Sequence, residues 1–257
     1  GVESIGSYAF AYCYGLTDVT LPSTLQSIGE QAFASKYLKN LISNMQHPCT
    51  IASNAFDQVD LAAAALYVPV GTKSEYLAAP VWKDFGTMLQ GEVKEIEIAG
   101  ITYRYITGEG IADIVAADKT VLNGKDLVIP GSIIVDDKTY KLRKIEDSVF
   151  KSVNMTSLTI EPGLEEIGSE VFWNRNSLTK VVIPEGVKAI GAYAFNACYG
   201  LTDLTLPSTL QSIGEYAFAS KYLKNLTSNM QHPCAIDANV FDQVNLAAAT
   251  LYIPEGT

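Results

Sequence analysis

Basic residues are few in this sequence. Eighteen Lys and Arg stand against twenty-eight Asp and Glu, for a formal net charge of -10. Nucleic acids and anionic membrane surfaces are both bound through clustered Lys and Arg, so neither is expected as a partner. The one local basic run, Lys138, Lys141, Arg143 and Lys144, lies beside Asp136 and Asp137 and reads as a solvated hairpin. Long apolar runs are also lacking. The best candidate, LAAAALYVPV at 61–70, contains Pro69 and falls far short of the roughly 18 residues of a membrane helix, so no membrane insertion is expected in this segment.

Histidine is limited to His47 and His232, and cysteine to Cys13, Cys49, Cys198 and Cys234. In His47-Pro48-Cys49 the proline holds its neighbours extended and points them apart, which argues against a nucleophile and its base. Zinc takes about four ligands at close quarters, which this supply does not offer, so no metal and no cofactor are expected. The sequence has no G-x-G-x-x-G, phosphate loop, G-x-S-x-G or H-E-x-x-H. The carboxylate pairs Glu165 with Glu166 and Glu95 with Glu97 read as ordinary surface acids. No catalytic residue is assigned, and the chain is not expected to be an enzyme.

What the sequence does have is repetition. Gly6–Thr72 matches Gly191–Thr257 at a constant offset of 185, with most residues identical. YGLTDVTLPSTLQSIGEQAFASKYLKN at Tyr14 returns as YGLTDLTLPSTLQSIGEYAFASKYLKN at Tyr199. A shorter period runs inside each duplicate. Phe10, Phe33 and Phe56 form one column, and Phe150, Phe172, Phe195, Phe218 and Phe241 form another, at spacings of 22 or 23. An Ile lies five residues before each Phe, from Ile5 to Ile236. A third column is the alternating segment L-x-x-V-x-L-P, seen as LTDVTLP at Leu16 and LTKVVIP at Leu178. Alternation over this length signals a strand, and the proline ends it.

One 23-residue coil cannot bury its own Leu, Val, Ile and Phe, whereas stacked coils cover one another. The expected fold is therefore a mainly β repeat solenoid with short helical turns, in which each strand pairs in parallel with its equivalent in the next coil. Cys13 and Cys49 fall at different phases of the repeat, so free and mostly buried thiols are expected rather than a disulfide.

Exposed ends need caps. Thr72-x-x-Glu75 reads as a capping box before a short helix whose apolar face would be Tyr76, Leu77, Val81, Trp82 and Phe85. The 185 offset places the equivalent helix after Thr257, so the second unit is expected to lack its C-terminal cap. Segment 92–142 breaks the period and reads as short strands, the last two forming a hairpin in SIIVDDKTYKL. The expected division is 1–91, the C-terminal part of a first unit with its helical cap, and 92–257, a second unit. Within the second, 92–142 is a β-hairpin N-terminal cap and 143–257 carries the repeats. The sequence begins inside a repeat without a leader, so it is expected to belong to a longer chain.

The pattern I-G-x-x-A-F-x-x-C-x-x-L-T-x-[VL]-x-[IL]-P, present as IGSYAFAYCYGLTDVTLP and IGAYAFNACYGLTDLTLP, resembles the BspA-type leucine-rich repeat of Bacteroides-like surface proteins. The last-coil variant LKNLISNMQHPCTIASNAF and the tail LYVPVGTKSEY…WKDF are also similar to that family. The resemblance implies a leucine-rich-repeat superhelix displayed extracellularly or on a bacterial cell surface. It further implies binding to host extracellular proteins, bacterial surface proteins or glycans, as in relatives described as adhesins. It carries no catalytic motif.

In such a solenoid the outward strand positions form a ribbon: Thr20, Ile42 and Tyr67, then Thr159, Val182, Thr205, Thr227 and Tyr252. This ribbon is the candidate binding face. The residue types also suit a plain β surface. The fourteen Tyr leave open either a recognition surface or a filling of solenoid edges. Two functions follow: a non-catalytic adhesion or protein-binding module, and a structural spacer that displays another domain of a larger surface protein.

Overall fold

A computed structural model describes residues 1–255. Gly256 and Thr257, which the offset pairs with Gly71 and Thr72, lie outside the described residues. The chain divides into two units, Gly1–Lys94 with Ile106–Glu109 and Glu95–Tyr105 with Gly110–Thr257.

Each coil is built from a short strand at the Ile column, a turn wall at the Phe column and a longer strand at the L-x-x-V-x-L segment. In the first unit, Ser4–Ile5, Ser27–Ile28 and Thr50–Ile51 pair in parallel with their isoleucines in register. In the second unit, Ile145, Ile167, Ile190, Ile213 and Ile236 are stacked the same way. The longer strands of the first unit are Asp18–Leu21, Asn40–Ser43 and Ala65–Val68, followed by Thr87–Gln90, all parallel. Those of the second are Lys180–Val182, Asp203–Leu206, Asn225–Ser228 and Thr250–Tyr252. Parallel pairing follows from one coil lying on the next at a constant residue offset.

The Phe rings form continuous stacks inside each unit. Phe10, Phe33 and Phe56 follow at centroid distances of 5.3 and 5.5 Å. Phe150, Phe172, Phe195, Phe218 and Phe241 follow at 5.6, 5.0, 5.4 and 6.0 Å. Offset stacking at these distances adds to what burial alone provides.

The turn wall is itself hydrogen-bonded from coil to coil. The amides of Tyr193, Phe195 and Ala197 donate to the carbonyls of Glu215, Ala217 and Ala219 at 2.8, 2.8 and 3.0 Å. This requires Tyr193 and Ala197 to adopt positive φ, 59° and 57°. The equivalent pair Tyr8 and Tyr12 does the same at 62° and 58°. Left-handed backbone costs a non-glycine residue roughly 1–2 kcal/mol, and the hydrogen bond it makes to the next coil offsets that cost. The glycine of the I-G-x-x-A-F motif answers a different need. A Cβ at Gly191 would stand 2.5 Å from the Ser169 amide of the preceding coil, whereas Gly6, its counterpart, has nothing within 4 Å.

After the first unit's last coil comes the expected helix, Lys73–Ala78, then a 3-10 turn, Trp82–Asp84. Tyr76, Trp82 and Phe85 are buried, and Val81 packs against the same core. Two expectations fail there. Thr72 does not cap the helix with its side chain; its hydroxyl donates to the Pro69 carbonyl at 2.8 Å instead. Leu77 is exposed, because it lies about 100° around the helix from the buried Tyr76.

Segment 92–142 is strand-rich, as expected. The strands are Val93–Ile98, Ile101–Ile106, Ile111–Ala117, Asp126–Ile129 and Ser132–Val135, the last antiparallel to Lys138–Ile145. Asp136 and Asp137, both at positive φ, form its two-residue turn. Two strands of the segment already behave as solenoid rungs. Asp126–Ile129 pairs in parallel with Ser157–Ile160, and Ile111–Ala117 pairs in parallel with Lys138–Ile145. A short helix, Lys119–Leu122, capped by the Asp118 carboxylate on the Thr120 amide, was not signalled by the strand pattern.

The basic run is only half solvated. Lys138 and Lys141 are exposed, but Arg143 Nε donates at 3.0 Å to Asp113, which is wholly buried. Lys144 pairs with Glu166 at 3.0 Å and Glu146 at 3.8 Å. Burial pushes the Asp113 carboxyl up, opposed by the Arg143 charge. The two inner residues belong to a charge cluster packed between the rungs, which their spacing along the hairpin did not reveal.

Candidate functional site

The outward ribbon takes its positions from strand register. Thr20 lies opposite Ile42 and Ile42 opposite Tyr67 in the first unit. In the second, Val182, Thr205, Thr227 and Tyr252 follow one another in register. Thr159 lies opposite Val128 on the preceding rung pair. The side chains of a parallel ladder point alternately in and out, so the sequence pattern alone fixes which residues share this face.

Exposure within the ribbon is uneven. Thr20, Thr159, Val182 and Tyr252 are exposed, while Ile42, Thr205 and Thr227 are half-buried. Tyr67 is only 1% exposed, and its hydroxyl donates to Asn40 Oδ1 at 3.4 Å. Every residue of Ala65–Val68 is buried, so both faces of that strand are covered and Tyr67 is not part of an accessible surface. Val128, which the L-x-x-V-x-L-P pattern does not reach, is exposed and extends the ribbon by one position. The alternation in DLVIP at Asp126 was the available signal.

In the first unit Thr20 and Ile42 line a hollow of about 480 Å³, together with Asn44, Gln46, Val70 and Glu92. A second outward column flanks the ribbon of the second unit. There Asn225 Nδ2 donates to Asp203 Oδ1 at 2.8 Å, repeating Asn40 and Asp18 at 3.0 Å. Hydrogen bonds from Thr202 and Asn225 hold the Asp203 carboxyl below its ordinary range. Asp126 is held down similarly by the Ser157 and Thr156 hydroxyls. These carboxylates are engaged in joining rungs, which suits a fixed polar edge.

The tyrosines gather at the turn wall. Tyr14 meets Tyr37 edge-on at 6.0 Å with Lys36 over the Tyr37 ring, and Tyr199 meets Tyr222 at 6.5 Å with Lys221 over both rings. All four rings are exposed. This duplicated corner was legible only as tyrosine abundance.

His47 and Cys49 do not act as a pair. His47 Nδ1 lies 2.7 Å from Glu75 Oε2 on the cap helix. All four cysteines are free. Only Cys198 is buried, with Sγ donating to the Phe172 carbonyl at 3.2 Å; Cys49 and Cys234 are half-buried and Cys13 is exposed. The expectation of mostly buried thiols fails because burial depends on the neighbouring coil, and that differs between equivalent positions. Burial pushes the Cys49 and Cys198 thiols up to about 11. Among the described residues no group of three or more His, Cys, Asp or Glu is placed to hold a metal ion, and no helix is long and apolar enough to cross a membrane.

No curated protein matches this chain. Solved structures similar to it include a leucine-rich repeat protein from Bacteroides capillosus at 24% identity, covering 62% of this chain and 98% of that one with a TM-score of 0.40. Another is the pneumococcal vaccine antigen PcpA, at 21% identity, 63% of this chain, 50% of that one and a TM-score of 0.46. A third is a leucine rich cell surface protein from Faecalibacterium prausnitzii, at 21% identity, 62% of this chain, 54% of that one and a TM-score of 0.42. The family described as BspA type leucine rich repeat region matches residues 1–72 and 140–255. The match spans most of the chain, and with the parallel ladders and Ile and Phe columns in place, the protein belongs to the BspA-type leucine-rich-repeat family.

Proposed function

We propose that this chain is a non-catalytic binding module of a bacterial surface protein, and that its solenoid face engages extracellular host proteins, bacterial surface proteins or glycans. The observation that carries this reading is the second unit's outward ribbon. Val128 and Val182 stand exposed beside threonines on strands whose register is fixed by backbone hydrogen bonds. Exposed apolar groups on a rigid, pre-ordered surface lose little entropy on binding, which favours recognition of a folded partner. Family membership supports an extracellular or surface location. The duplicated units add avidity where the target repeats.

The test is binding of the purified chain to immobilised matrix proteins and glycans at physiological salt. A saturable partner lost in a Val128→Glu, Val182→Glu variant supports the ribbon. Loss instead in Tyr199→Ser, Tyr222→Ser moves the site to the exposed tyrosine corner, which the two units present in the same form. The absence of any partner across the panel favours the spacer, for which near-identical tandem units are the supporting observation.

A further inference from the structure

The exposed tyrosines of the turn wall are held in one arrangement that both units repeat. In the second unit Tyr199 and Tyr222 meet edge-on at 6.5 Å with their planes 88° apart, and the Lys221 ammonium stands 5.8 and 4.9 Å from the two ring centroids. In the first unit Tyr14 and Tyr37 meet at 6.0 Å, also at 88°, with Lys36 5.2 Å from the Tyr37 centroid. Tyr199 has a coil on either side of it and is still 42% exposed. Tyr37, followed by a further coil and the cap helix, is 37% exposed. The opening therefore belongs to the corner itself.

The corner is ordered before any ligand arrives. The wholly buried Ser220 hydroxyl donates to the Cys198 carbonyl at 2.9 Å and fixes the turn that carries Lys221 and Tyr222. The Tyr199 amide donates to Asn176 Oδ1 at 2.9 Å, and Asn176 Nδ2 donates to Asn174 Oδ1 at 3.2 Å. Rigid rings on a fixed turn lose little entropy on binding. The local charge is opposite to that of the whole chain. No Asp or Glu occurs in 171–184, 186–202 or 216–236, the stretches that build this corner, although the chain's formal net charge is -10. Asp203, which begins the adjoining strand, is engaged by Thr202 and Asn225. Lys221 makes no ion pair among the described residues; the rings are its partners.

We infer that this corner is a binding site for an acidic glycan, a chain of pyranose rings bearing carboxylates. One face of a pyranose is a sheet of C–H groups with partial positive charge, which lies well on the negative face of a tyrosine ring. A carboxylate on the same sugar finds the ammonium at the corner, and the phenols and the amides of Asn174 and Asn176 suit its hydroxyls. A neutral glycan leaves the lysine unused. A proline-rich segment, which also docks on aromatic rings, brings no acid to it. The inference rests on the binding-module reading and names, for this corner rather than the ribbon, the class of partner.

The experiment labels the full chain with 3-fluorotyrosine and titrates it with a hyaluronan hexasaccharide, in which every second sugar is a glucuronate, and with neutral chitohexaose. Fluorine NMR reads each tyrosine, with lines assigned by single Tyr→Phe substitutions. Saturable shifts with hyaluronan are expected at Tyr199 and Tyr222 and at Tyr14 and Tyr37, one site per unit, with the neutral oligosaccharide bound more weakly. Tyr222→Ser, at an exposed position, should raise Kd at the second unit's site about tenfold or more and leave the first unit's site intact. Lys221→Gln should weaken the acidic oligosaccharide there about fivefold, the strength of one exposed ion pair, and leave the neutral one unchanged. Absence of saturable shifts with hyaluronan overturns the inference. So does equal binding of the neutral oligosaccharide, or binding at the second unit that survives Tyr222→Ser. Hyaluronan binding lost instead in Val128→Glu, Val182→Glu overturns the corner and moves the glycan to the ribbon. A chain that binds a protein through that ribbon and no oligosaccharide keeps the binding-module reading and overturns this one.

Discussion

Phe10 and Phe195 occupy the same position of the duplicated sequence, 185 residues apart, and the structure gives them different weight. Phe195 is 0% exposed and stacks between Phe172 at 5.0 Å and Phe218 at 5.4 Å. Phe10 is 42% exposed and stacks on Phe33 at 5.3 Å. Truncating a fully buried Phe loses its transfer free energy and leaves a cavity, together about 3–5 kcal/mol. Phe195→Ala should fall in that range. Phe10→Ala removes a ring that is nearly half in water and opens no enclosed cavity, so it should cost about 1–2 kcal/mol. The chain carries one Trp in each unit, Trp82 and Trp173. Labelling with 5-fluorotryptophan and following urea unfolding by fluorine NMR therefore reads each unit separately, which matters because two units need not unfold as one. Phe195→Ala should shift the Trp173 transition. Equal costs for the two variants, or a Phe195→Ala loss confined to Trp82, would refute the ladder argument.

Further outcomes follow from the same geometry. Gly191→Ala should destabilise the second unit by about 1–3 kcal/mol through its clash with the Ser169 amide, whereas Gly6→Ala should stay within about 0.5 kcal/mol; paired urea titrations would decide. Arg143→Ala removes the guanidinium hydrogen-bonded to buried Asp113 and should cost about 3–5 kcal/mol in denaturation; a loss below about 1 kcal/mol would show the pair to be dispensable. The Lys188 hydrogen bond holds the Glu165 carboxyl below its ordinary value, so its stabilising contribution is fully present above about pH 4.3 and is lost as pH falls through the depressed folded value. Thermal melts from about pH 7 to about pH 3 should show the chain and Glu165→Gln converging at the acid end; a gap that widens on acidification would reverse the assigned sign.

The sequence determined the solenoid. Columns of Ile and Phe at spacings of 22 or 23, and alternation in L-x-x-V-x-L, dictate both the parallel pairing and the ring ladders, because one coil has no other way to cover its apolar side chains. The outward ribbon was legible for the same reason, since strand alternation is local. What depends on a neighbour was not legible. Tyr67 obeys the outward period and is nonetheless buried, Leu77 was expected inside and is exposed, and the capping hydroxyl of Thr72 turns back to Pro69. The left-handed Tyr8 and Tyr193 carry no sequence signal, because their conformation is maintained by hydrogen bonds to the following coil.

The duplication makes the division plain. Gly6 and Gly191, Phe10 and Phe195, Cys13 and Cys198, Leu66 and Leu251 are identical pairs in sequence that differ in burial or close contact. Local sequence sets which way a residue faces. Whether another coil or a cap helix covers it is a contact between distant segments, and only the tertiary structure decides that.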